Sequence, residues 1–82
     1  MGVTEDLADE LAQSVLKAVD IIGDDQIIAD LANMMGATSQ TAEEAFLTAI
    51  RVRRANIKAR EMLTKRLRDF KASQDAQRAQ SD

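Results

Sequence analysis

Residues 41–71, TAEEAFLTAIRVRRANIKAREMLTKRLRDFK, contain neither glycine nor proline and are dominated by residues that favour helix. Thr41 with Glu44 three positions on matches a capping box, with Thr38 and Ser39 as competing caps. The stretch therefore predicts one helix of about 30 residues, about 45 Å long. Within it Ala45, Ala49, Val52, Asn56, Ala59, Leu63, Arg66 and Phe70 recur in alternating steps of four and three, a heptad seam with two polar interruptions. Phe46, Ile50, Ile57 and Leu67 flank the seam and widen it.

Two shorter helices are expected upstream. Over 4–22, Thr4 is placed to cap, Glu5 and Asp6 suit the first turn, and Leu7, Leu11, Val15, Val19 and Ile22 form one apolar stripe closed by Gly23. Over 25–35, Asp24 or Asp25 caps a segment whose Ile27, Ile28, Leu31, Met34 and Met35 leave few faces polar, and Gly36 ends it. Helices of about 20 and 12 residues reach at most about 30 and 18 Å, so part of the long helix must protrude. Residues 72–82, ASQDAQRAQSD, hold only alanine as apolar content and predict a frayed or disordered tail. The expected fold class is all-α: one domain over 1–71, two short N-terminal helices packed on a long C-terminal helix, with coiled-coil-like self-association.

Composition narrows the chemistry. A chain of 82 residues buries a modest core and is marginal alone. With no cysteine and no histidine it can form neither disulfides nor the usual zinc sites, nor a histidine acid–base pair, and oligomerisation is the reinforcement left. Asp20, Asp24 and Asp25 surround Gly23 but lack the ligand spacing and terminal glutamate of a calcium loop, so they are assigned to capping. Glu43 and Glu44 sit on an exposed first turn with no pocket to perturb them. No catalytic residue, cofactor site or metal site is assigned, and a non-enzymatic protein is expected. No apolar run approaches a membrane span, the acidic N-terminus lacks the pattern of a signal peptide, and a membrane-surface helix is disfavoured by the absence of Trp. A cytoplasmic location is the expectation.

Charge is the strongest functional signal. Residues 1–50 carry ten acids against Lys17, net −9, while residues 51–82 carry ten bases against four acids, net +6. The change of sign falls inside the long helix. Its basic stretch can pair with the acidic helix bearing Glu5, Asp6, Asp9, Glu10 and Asp20, within one chain or between chains, or form a solvated face supported by Glu61 and Lys65. The favoured function is an assembly module that self-associates as a dimer or higher oligomer through Phe46, Ile50, Val52, Asn56, Ile57, Leu63, Leu67 and Phe70, another protein being a further partner. Asn56 either fixes the register or sits at an edge in water. Met34 and Met35 are core filling or an adaptable docking site. The alternative is a nucleic-acid-binding protein with phosphate contacts from Arg51, Arg54, Lys58, Lys65 and Arg68, and Arg53, Arg60 and Lys71 on the flank of that face.

The join between the second and third helices adds to that alternative. Leu31, Ala32, Met35, Gly36, Ala37 and Ser39, followed by Ala42 and Ala45, place small and apolar residues so that two helices cross closely. Over 28–46 this resembles the helix-turn-helix family in a degenerate form. The resemblance implies Thr38, Ser39, Gln40, Glu43 and Glu44 at a major groove, although two glutamates there repel phosphate and no base precedes Arg51 in this region. The competing reading is a tight helix–helix corner without a DNA role.

Overall fold

The computed structural model describes residues 2–81. Its three helices are α1 (Val3–Ile22), α2 (Gln26–Gly36) and α3 (Gln40–Ser81), and α1 and α2 both pack against the first part of α3. The molecule measures 68 × 31 × 13 Å, the proportions of a small head on a rod.

The turns follow from local chemistry. Gly23 takes a left-handed conformation, φ 77°, and donates its N–H to the carbonyl of Val19, which closes α1. The Asp24 carboxylate accepts the N–H of Gln26 at 2.9 Å and opens α2. At the second corner Ser39, not Thr41, supplies the cap: its Oγ accepts the N–H of Ala42 at 3.1 Å, so α3 starts at Gln40. Gly36 ends α2, and a Cβ there would collide with the Glu43 carboxylate folded over it. Thr4 is likewise no cap, because α1 begins at Val3 with Gly2 before it.

The core is small and made largely of small side chains. Ala8, Ala12 and Val15 of α1, Ala32 of α2, and Phe46 and Ile50 of α3 are its buried members. Phe46 is the largest side chain wholly removed from water. Leu11, Leu16, Val19, Ile27, Ile28, Leu31, Met35, Leu47 and Ala49 pack around them. The buried stripe of α1 is thus turned from the one expected: Leu7 and Ile22 are exposed, and Ala8 and Ala12 take the inward positions. Alanines spaced by four let two helix backbones approach closely. That approach seats Phe46, whose full burial is worth about 3 kcal/mol. A count of apolar atoms favoured Leu7; shape favoured Ala8 and Ala12.

α3 extends past the expected end at residue 71 and stays helical to Ser81. The residues after Phe70 include no glycine or proline, and alanine, glutamine and arginine favour helix even with little to bury. The frayed tail expected over 72–82 is therefore replaced by continuous helix, with Asp82 outside the described residues. Over its 42 residues the helix is about 63 Å long, roughly twice the length of α1.

Candidate interaction surface

From Arg54 to Gln80 every residue of α3 is exposed. The head covers the start of the helix and leaves a free stem. Among the exposed large apolar side chains are Val52, Ile57, Met62, Leu63, Leu67 and Phe70, each between 49% and 63% accessible. At 100° per residue Val52, Asn56, Ala59, Leu63 and Phe70 fall within an arc of about 60°, with Leu67 about 20° beyond it. The seam read from the sequence is therefore a continuous exposed stripe from Val52 to Phe70. Monomeric proteins seldom leave a stripe of this kind open to water.

Three of the expected interface residues lie off the stripe. Phe46 and Ile50 are 0% and 3% exposed and face α1 and α2, so they serve the intramolecular core. The reason is angular: they sit some 110° or more from the middle of the Val52–Phe70 stripe, on the side where the head docks, and Ile57, about 130° from it, lies exposed on that same side of the stem. Met62, outside the expected set, joins the exposed apolar residues of the stem. Of the two methionines singled out, Met35 packs on the core and Met34 is exposed.

Asn56 is exposed and accepts a hydrogen bond from Arg60 Nε at 2.9 Å. In the isolated chain its amide is held by a base one turn on. Arg53 Nε and Nη2 donate to Asp9 Oδ1 and Oδ2 at 2.6 and 2.8 Å, a two-pronged link between α1 and α3. The Arg53 guanidinium holds the Asp9 carboxyl below its ordinary value of 3.8, and the carboxylate in turn raises Arg53. Among the described residues this is the one place where the acidic head grips the basic stretch of its own chain. Arg51, Arg54, Lys58, Lys65 and Arg68, the expected phosphate contacts, are all exposed. They share an arc of about 100° whose middle lies about 160° from that of the apolar stripe.

Two open grooves have Asp9 and Val52 in common. One, of about 570 Å³, is lined by Glu5, Asp6, Asp9 and Glu44 together with Ala45, Ala49 and Val52. The other, of about 440 Å³, sets Asp9 and Asp20 with Lys17 and Arg53 around Val52, Asn56 and Ile57. The seam thus runs from the bare stem into a groove with acidic walls. Sequence periodicity could not assemble that groove, because Glu5, Asp6 and Asp9 come from α1 while Glu44 and the apolar residues come from α3. The only forewarning is that Glu5 and Asp9, four apart, share a face of α1.

At the α2–α3 corner, Ser39 is occupied as the cap, Glu43 lies against Gly36, and Glu44 accepts from Gln40 Nε2 at 3.3 Å. The Thr38 hydroxyl donates to the carbonyl of Met35 at 3.3 Å, so each polar side chain that would read a base at this corner is a carboxylate or is already bonded within the chain. Among the described residues no cluster of three or more acids forms a metal cage, and no helix is long and apolar enough to cross a membrane. No protein family, curated protein or solved structure matches the chain.

Proposed function

We propose that the protein is a small non-enzymatic assembly module that self-associates through the stem of α3. The observation that supports this most directly is the exposed stripe Val52, Leu63, Leu67 and Phe70, on a stretch of α3 that the head leaves largely bare. Contact residues are Val52, Asn56, Leu63, Leu67 and Phe70, with Met62 on their flank, Ile57 set aside on the far side of the stem, and Phe46 and Ile50 left to the core. Burying several half-exposed apolar side chains at about 25 cal/mol per Å² supplies the reinforcement that a six-residue core lacks. Sedimentation at micromolar concentration is expected to show a dimer or larger species. A folded monomer at that concentration overturns the proposal.

A second reading, nucleic-acid binding, is favoured by one observation: Arg51, Arg54, Lys58, Lys65 and Arg68 are exposed on the side opposite the stripe, so they stay available when the stripe is covered. On this reading duplex DNA is retarded at low salt, affinity falls steeply as salt rises, and Arg51, Arg54 and Lys58 to Gln weakens binding uniformly across sequences. Absence of retardation at low salt removes it.

A further inference from the structure

The face left open on the stem is interrupted by Asn56 and Arg66, and their placement bears on what covers it. Measured from the middle of the stripe between Val52 and Phe70, Asn56 and Arg66 stand equally far away in opposite directions, as do Ala59 and Leu63. We infer that the occupant is a second copy of this chain lying antiparallel, so that the acidic head of each copy receives the partner's Lys71. This rests on the self-association proposed above and adds its direction.

In the antiparallel register Val52 lies opposite the partner's Phe70, Asn56 opposite the partner's Arg66, and Ala59 opposite the partner's Leu63. Each polar interruption meets the other, and a small residue meets a large one. The Asn56 amide oxygen, which accepts from Arg60 in the single chain, then has a second guanidinium in reach. A parallel pair in register would instead set Arg66 against Arg66 inside an apolar seam, where like charges repel at short range.

The heads point the same way. Parallel pairing brings head beside head and stem beside stem, net −9 against −9 and +6 against +6 by segment. Antiparallel pairing in this register leaves residues 51–71 beside their counterparts but parts the two acidic heads, each of which then faces the end of the partner's stem instead of another head. The groove makes the match specific. A helix laid on Ala49 and Val52 runs beside Glu5, Asp6, Asp9 and Glu44. The part of the partner's stem that reaches there begins at Phe70 and Lys71. Lys71 lies on the same flank of α3 as Arg53, which already grips Asp9. A two-fold axis across the helices brings equal flanks together, and so carries the partner's Lys71 to the α1 side.

The chain has no cysteine, so introduced thiols report proximity without interference. Val52→Cys and Phe70→Cys proteins are prepared separately, mixed, and left to exchange in a glutathione buffer. The antiparallel pair yields the mixed Val52–Phe70 disulfide about tenfold over either homodimer, because copies of one position lie about 27 Å apart, beyond disulfide reach. Predominance of Val52 homodimers overturns the direction while leaving self-association intact. A monomeric parent protein in sedimentation overturns both. Charge exchange gives a second measurement that leaves the stripe untouched: Lys71→Glu weakens dimerisation about tenfold through two symmetric pairs, and adding Asp6→Lys to the same chain restores it. Without that restoration the head-to-stem contact falls.

Discussion

The head and the stem are parts of one helix-rich chain in opposite situations. In the head, α3 presents Phe46 and Ile50 to two other helices and both are buried; in the stem, Leu63, Leu67 and Phe70 have comparable apolar bulk and remain about 60% exposed. The residue types are similar, so the difference is one of neighbours. It teaches that helix formation and burial are decided separately here: local propensity carries α3 to Ser81, while tertiary packing stops near Arg53. An isolated helix is only marginally stable in water, so a stem without partners draws its order from propensity and from whatever comes to lie on it.

The heaviest blow to this contrast is Phe46→Ala. Removing a wholly buried aromatic from a core of six buried residues costs about 3 to 5 kcal/mol, the scale of the entire stability of a domain this small. The head is expected to lose its cooperative thermal transition by circular dichroism. Equivalent truncation of Phe70 should leave that transition in place at a concentration where the protein is monomeric. Equal damage from both would mean that the stem is already part of the folding unit.

Leu63→Asp acts on the other region. A charge inserted in a covered stripe costs about 3 to 5 kcal/mol where it is left unpaired, and nothing where the stripe is in water. Association is expected to be lost in sedimentation while the head keeps its melting transition and most helicity survives. An unchanged mass would move the contact to another face of the stem.

The sequence displayed the contrast only in part. Three helices, their order and the protrusion of α3 followed from periodicity, from Gly23 and from the glycine-free run after residue 40. Other features did not. Ala8 and Ala12 point inward because close helix approach selects for lack of bulk, and a hydrophobic count gives them little weight against Leu7. Phe46 and Ile50 looked like seam-flanking residues because a wheel shows which residues share a face but not which face another helix will take. The stripe from Val52 to Phe70 was legible, since nothing in the chain competes for it. The acidic groove beside it was not, because it joins residues some forty positions apart that only the α1–α3 contact brings together.

The finest test of the boundary between the two regions is Asp9→Asn, because the Asp9–Arg53 link sits where the head ends. Both side chains are substantially exposed, so solvent screens the pair and little change in stability is expected at neutral pH. The pH dependence carries the information. Arg53 holds the folded-state pKa of Asp9 below its ordinary 3.8, so the unfolded chain takes up the proton first. The contribution of the pair is therefore present above the ordinary carboxylate value and is lost as pH falls through the lower, folded value. Arg53 is shifted upward, so its own contribution holds at all lower pH and would fade only under strong alkali. Thermal melts of the parent and of Asp9→Asn should then differ slightly at pH 6 and converge in acid, with 1 M salt shrinking the difference at pH 6. A gap that persists unchanged into acid would assign the effect to something other than the carboxylate charge, and the ion pair would no longer count among the forces that hold α1 to the base of the stem.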